Sequence, residues 1–217
     1  MGGMRKTKVA PLATPAPGEK SARERILETA TELFYRDGIR AVGIDTIIAR
    51  SGVAKMSLYR NFASKDELVV AFLEYRDGIY WQWWDHVMAR HPDDPRRQIS
   101  DLFASLARRV TSPFYRGCPF INTATEFPDV SHPARAICDA NKRELRARLR
   151  ALARRAGARD AESLADQLLL LIEGAYVATQ NFRSRGPASS LQAAAEAMVA
   201  AQLQPLVDAQ AGLVKHR

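Results

Sequence analysis

From Lys55 to Phe62 the chain sets Lys55, Ser57, Tyr59, Arg60 and Asn61 around two apolar residues, Leu58 and Phe62. Leu58 and Phe62 are four apart and share a helical face, which turns the polar set to the other side. The chemistry of that set suits duplex DNA. Lys and Arg bond phosphates and guanine edges, Asn reads adenine, and Ser and Tyr hydroxyls hold backbone phosphates. A solvated polar face on a helical hairpin has the same pattern, and periodicity alone leaves both readings open.

The neighbouring elements narrow the choice. A short helix from about Ile44 to Arg50 would place Ile44, Ile47 and Ile48 on one face and Asp45, Thr46 and Arg50 on the other. Ser51-Gly52-Val53 breaks it, because Gly52 can take the left-handed conformation that closes a helix and opens a tight turn. Upstream, Ser21 and Glu24 form a capping box for a helix whose apolar stripe is Ile26, Leu27, Ala30, Leu33 and Phe34, stopping at Asp37-Gly38. Downstream, Ser64 and Glu67 form a second capping box. Lys65 falls in the first turn of the helix it opens, so N–H groups, the positive dipole end and an ammonium could face one phosphate.

Residues 21 to about 70 resemble the DNA-binding domain of the TetR family of transcriptional regulators. The residues that carry the resemblance are Gly38, Ile47, Gly52-Val53, Leu58-Tyr59, Phe62 and Lys65. Gly43 and Ala54 depart from the pattern, standing where the family has capping Ser or Thr, and Ile48 stands where it usually has Ala. An alanine cap costs about 0.5–2 kcal/mol of helix stability. The resemblance implies an all-α chain of about nine helices: a flexible arm over 1–20, a three-helix helix-turn-helix domain over 21–66, and a helical ligand-binding and dimerisation domain over 67–217. It also implies a regulator, commonly a repressor and less often an activator, released from double-stranded operator DNA by a small-molecule effector; the two widely spaced cysteines, Cys118 and Cys138, fit a cytoplasmic, reducing setting. On the residues of this sequence, DNA contacts are expected from Thr46, Arg50, Lys55, Ser57, Tyr59, Arg60, Asn61 and Lys65.

Charge supports a basic head. The chain carries a formal +8, and residues 1–65 hold 12 Lys or Arg against 6 Asp or Glu, while the rest holds 20 against 18. Charge alone would serve RNA or an anionic membrane equally well; the helix-turn-helix spacing favours duplex DNA. Trp81, Trp83 and Trp84 would be the anchors of a membrane-surface protein, but Trp83 leaves their shared face and the polar side is not Lys-rich. With 217 residues and 47% apolar content the chain can bury a core, and no run of about 18 apolar residues predicts a membrane span. The first twenty residues lack the apolar stretch of a secretory signal, and Lys6 stands where a myristoylation motif needs Ser or Thr. His86, His91, His132 and His216 show no paired metal spacing, and no phosphate loop or nucleophile elbow appears, so neither a catalytic site nor a cofactor or metal is expected.

Beyond the head, helices are predicted from Lys65 to about Arg90, Pro95 to Val110, Phe120 to Glu126, His132 to Ala156, Asp160 to Phe182 and Pro187 to Val207, with prolines near their boundaries. Arg143, Arg146, Arg150 and Arg154 share a face opposite Leu145, Leu149 and Leu152, which reads as a solvated helix face. The last two helices, rich in Leu and Ala, suit a four-helix bundle between two copies, although intrachain core would look the same. Two-fold symmetry would set two heads a turn or two of DNA apart.

Aromatic residues concentrate between head and bundle. They are either core or the wall of a small-molecule pocket, and family resemblance implies a pocket among the fourth to eighth helices. By position its lining is expected from Trp84, Phe103, Tyr115, Phe120, Asn122, Glu126, Tyr176 and Gln180. Cys118 and Cys138 are too far apart for a CxxC motif; Cys118, beside Arg116 and before a short helix, reads either as a redox or electrophile sensor or as a buried, inert thiol.

Overall fold

Among the described residues Ser, Asp and Pro open most of the helices, and Gly closes the first two. The computed structural model describes residues 20–182 and 186–203, and no strand occurs among them. The helices are α1 (Ala22–Asp37), α2 (Ile44–Ser51), α3 (Lys55–Asn61), α4 (Lys65–Met88), α5 (Pro95–Val110), α6 (Pro119–Glu126), α7 (Pro133–Arg155), α8 (Ala161–Phe182) and α9 (Leu191–Leu203).

The Ser21–Glu24 capping box forms as expected, with each residue bonding the other's N–H. Helix α1 stops at Gly38, whose φ of 92° disfavours other residues. Gly52 closes α2 in the left-handed conformation, and Ala54 starts α3 with no side-chain cap. The box at Ser64 is skewed: its hydroxyl accepts from Glu67 N–H, but the Glu67 carboxylate turns to the N–H of Ala63. Asp94 and His132 cap α5 and α7, each followed by Pro at the first helical position.

The head core is Ile26, Ala30, Leu33, Phe34, Ile39, Val42, Ile47, Val53, Leu58 and Phe62, with Leu27 half-buried. Helix α4 belongs to two cores. Its first half seals the head through Leu68, Val69 and Phe72, whose ring meets Phe34 edge-on at 5.7 Å. Its second half enters the body through Tyr80, Trp84 and Val87. At 24 residues it spans about 36 Å. In the body α4 packs on α5 and α7, α7 on α8, and α5 on α9.

Three expectations change. The last helix does not run unbroken from Pro187: a 3-10 turn over Pro187–Ser190 buries Ala188, and α9 starts at Leu191, while residues 204–207 lie outside the described chain. The basic face of α7 is not merely solvated, because Arg146 pairs with Asp166 at 2.8 Å, and Arg150 and Arg154 reach Glu162, tying α7 to α8. These pairs are about half-exposed, so each contributes only about 0–1 kcal/mol. The tryptophans are absorbed by packing: Trp84 is buried, Trp83 donates to the Ser105 hydroxyl at 3.0 Å, and Trp81 lies against the Arg148 guanidinium.

Candidate functional site

On the head, Thr46, Arg50, Lys55, Tyr59 and Arg60 are exposed, and Ser57, Asn61 and Lys65 are half-buried. Arg60 has no hydrogen-bond or ion-pair partner among the described residues. Arg50 and Lys55 sit 3.4 and 3.5 Å from Glu32 and Asp45, loose exposed pairs that a phosphate could replace. Asn61 differs from expectation. Its amide donates to the Ser57 carbonyl at 2.7 Å, folded back on its own helix because the side chain reaches one turn up the backbone, so reading a base would require it to turn out. Lys65 lies over the Phe34 ring at 5.9 Å, and burial pulls its ammonium below the usual lysine range. Met56 was missed by polarity-based reading. It is the most exposed residue of apolar type on α3, at 71%, and shares a face with Tyr59 and Arg60, where an apolar side chain could meet a thymine methyl.

Head and body are joined through α6. At its C-terminal end the Glu126 carboxylate accepts the N–H groups of Ile39 at 3.0 Å and Arg40 at 2.7 Å, holding the turn between α1 and α2. Just before its N-terminal end, the Tyr35 hydroxyl of α1 donates to Gly117 O and accepts from Arg116 N–H. Arg40 also lies over Phe127, which stacks on His132, and His132 reaches Asp66 of α4 at 3.5 Å. Glu126 therefore sits at the head rather than deep in a pocket; an acid 87 residues away in sequence supplies the acceptor that this turn lacks locally.

Three cavities surround the α5–α6 connection. A cleft of about 760 Å³ is lined by Val110, Ser112, Tyr115, Arg116, Thr179 and Gln180 among others. An inner cavity of about 30 Å³ lies between Tyr35, Arg76, Tyr80, Arg109, Tyr115, Cys118, Phe120 and Tyr176. A third, of about 430 Å³, opens at the head–body junction beside Tyr35, Asn122, Glu126 and Gln180. Of the residues expected to line a pocket, Tyr115, Phe120, Tyr176, Asn122, Gln180 and Glu126 border one of these spaces. Trp84 and Phe103 border none of them; both are buried in the core, where large apolar surface is best removed from water. Asn122 and Gln180 bond each other at 3.3 Å, and Asn122 also donates to Arg116 O. Arg76 and Arg109 were passed over in the sequence because their partners are rings distant along the chain.

Burial pushes the phenols of Tyr80, Tyr115 and Tyr176 well above the ordinary tyrosine range, so all three are neutral donors. Cys118 is buried at the start of α6, with Lys142 Nζ 3.6 Å from its sulfur and itself paired to Glu173 at 2.6 Å. Burial raises the Cys138 thiol to about 11.

Residues 26–72 match the family described as bacterial regulatory proteins, tetR family, and residues 95–198 match the tetracyclin repressor-like C-terminal domain. SCO4454, a TetR-family transcriptional regulator from Streptomyces coelicolor, superposes with a TM-score of 0.81 at 30% identity, covering 84% of this chain and 96% of that one. The chain belongs to the TetR family. That family consists of transcriptional regulators, not enzymes, which bind operator DNA and dimerise. YxaF of Bacillus subtilis, an HTH-type transcriptional regulator, is 29% identical over 123 residues, 54% of this chain and 62% of its own length. The repressor KstR2 of Mycobacterium tuberculosis is 32% identical over 84 residues, 38% of this chain and 41% of its own. These curated relatives are thus matched over less than two thirds of their length. No helix among the described residues is long and apolar enough to cross a membrane.

Proposed function

We propose that this chain is a cytoplasmic repressor that binds operator DNA as a homodimer and is released by a small molecule seated between α4 and α8. Residues 21–66 form the DNA-binding head, with contacts from Thr46, Arg50, Lys55, Ser57, Tyr59, Arg60, Asn61 and Lys65; residues from 67 onward bind effector and pair the subunits. The observation that carries this reading is α6, tied to the head at both ends while Cys118 and Phe120 at its start border the inner cavity. A ligand that enlarges this cavity must shift α6 or Tyr115, and with it the bonds that Tyr35 and Glu126 make to the head. A ligand preferring the shifted state then lowers DNA affinity by linkage.

Dimerisation through α8 and α9 is supported by the apolar side chains left outside. Leu170 is 71% exposed and Val177 48%, beside a 270 Å³ groove lined by Leu171, Gly174, Ala178 and Ala194. A second copy would cover this face and set two recognition helices against successive major grooves.

Selection of bound sites from random duplexes, followed by a reporter carrying the selected site, tests the reading. Site occupancy should lower transcription; raised transcription would make the chain an activator, and failure to enrich any site would remove DNA binding. A second reading, electrophile sensing at Cys118, draws on the Lys142 contact. Under it Cys118→Ser would abolish release by electrophiles while leaving operator affinity intact, and unchanged release would dismiss it.

A further inference from the structure

The inner cavity carries a charge that nothing on its walls balances. Arg76 lies over the Tyr35 ring at 4.3 Å and Arg109 over the Trp83 ring at 5.0 Å, so rings rather than carboxylates hold both guanidiniums in place. Neither arginine forms an ion pair among the described residues, and Glu173, the acid whose field reaches Tyr80 and Tyr115, is already taken by Lys142 at 2.6 Å. Arg76 Nε and the Tyr115 hydroxyl are buried with no hydrogen-bond partner. Both arginines are half-buried; a cation partly removed from water without a counter-ion is costly, and a second beside it adds repulsion. The walls therefore present mainly donors: two guanidiniums and the hydroxyls of Tyr115 and Tyr80, the latter accepting from Tyr176, whose own proton is thereby taken. They are also aromatic, with Tyr115 and Tyr176 roughly parallel and their ring centroids 6.3 Å apart.

We propose that the effector is an organic carboxylate on a planar ring, its carboxylate held between Arg76 and Arg109 and its ring beside Tyr115 and Tyr176. This rests on the effector-release reading and adds the chemical class of the effector. Guanidinium matches the planar, two-oxygen geometry of a carboxylate, and the anion supplies the missing counter-charge. The space of about 30 Å³ accommodates about one water. The ring must therefore displace Tyr115 toward the 760 Å³ cleft that this side chain also walls. Tyr115 lies on the same connection whose Arg116 and Gly117 bond Tyr35 of the head, so filling the cavity strains a contact to the DNA-binding domain.

Titration of the full chain with benzoate, 4-hydroxybenzoate and phenylacetate, each against its amide, tests this through tryptophan emission, since Arg109 lies on Trp83. At least one acid should saturate at millimolar concentration or below and bind at least tenfold tighter than its amide. Arg109→Gln and Arg76→Gln should each weaken that acid at least tenfold without lowering the melting temperature of the unliganded protein, because each removes an unbalanced cation. Equal binding of acid and amide, or saturation by none of the acids, overturns the proposal. Saturation by inorganic phosphate with no preference for benzoate also overturns it, leaving a simple anion site. Should an acid bind as described yet leave operator affinity unchanged, the carboxylate site stands and effector release fails.

Discussion

Removing the Glu126 carboxylate should free the turn between α1 and α2 while leaving the helices on either side intact. In the folded chain the two oxygens accept the N–H groups of Ile39 and Arg40 at 3.0 and 2.7 Å. A hydrogen bond to a charged acceptor contributes about 1.5–3 kcal/mol, and counting the exposed Arg40 bond at about half gives about 2–4 kcal/mol for the pair. At 1.36 kcal/mol per factor of ten, local opening in Glu126→Ala becomes about 30- to 900-fold more frequent. Amide hydrogen exchange at Ile39 and Arg40 reads that opening directly, while amides of α1 one turn earlier serve as the internal control. Glu126→Gln keeps one neutral acceptor and should fall between, within about tenfold of the parent. Unchanged exchange at Ile39 and Arg40 in Glu126→Ala would refute α6 as a tether of the head. If exchange rises but effector still releases DNA with the parental ratio of affinities, the tether exists and the message travels elsewhere.

Ala54→Ser supplies the missing cap of α3 and should stabilise that helix by about 0.5–2 kcal/mol, read as slower amide exchange at Met56 and Ser57. Lys65→Ala should weaken operator binding and lower the slope of log affinity against log salt by about 1, whereas Met56→Ala should change sequence preference with the slope intact. Trp84→Ala removes a buried core ring and should cost about 3–5 kcal/mol in denaturant unfolding, a global loss rather than a selective change in effector response. Burial raises the Cys138 thiol from 9.0 to about 11, so the unfolded chain gives up that proton first. The resulting stability is fully present below pH 9 and is lost as pH rises toward about 11. Cys138→Ala should flatten that part of the stability profile relative to the parent.

Much of the architecture was legible because helix boundaries are local chemistry. Ser21 with Glu24, Gly52 and Pro95 each act within a few residues, and the structure starts or stops helices there. The exceptions are local too: the run after Pro187 begins as a 3-10 turn, which composition does not distinguish from a helix start. The candidate site was less legible, because its contacts are long-range. Glu126 meets the head across 86 and 87 residues, and Arg76 and Arg109 converge from two helices. Aromatic character selected Trp84 and Phe103 as pocket residues, but burial alone accounts for them. An arginine inside the aromatic stretch from Tyr75 to Trp84 was the available signal for the cavity, since a cation packed among rings and partly removed from water needs a reason to be there.

Among the described residues, the two cores shared by α4 leave no seam between head and body at which the two could come apart. Leu68 and Phe72 cannot leave the head without loosening the helix that carries Tyr80 and Trp84 into the body. Melting should therefore be a single event, and any partner bound at one end protects the other by mass action. A copy engaged with DNA would outlast an idle one under proteolysis, so the abundance of the protein in a cell would follow the number of sites it occupies.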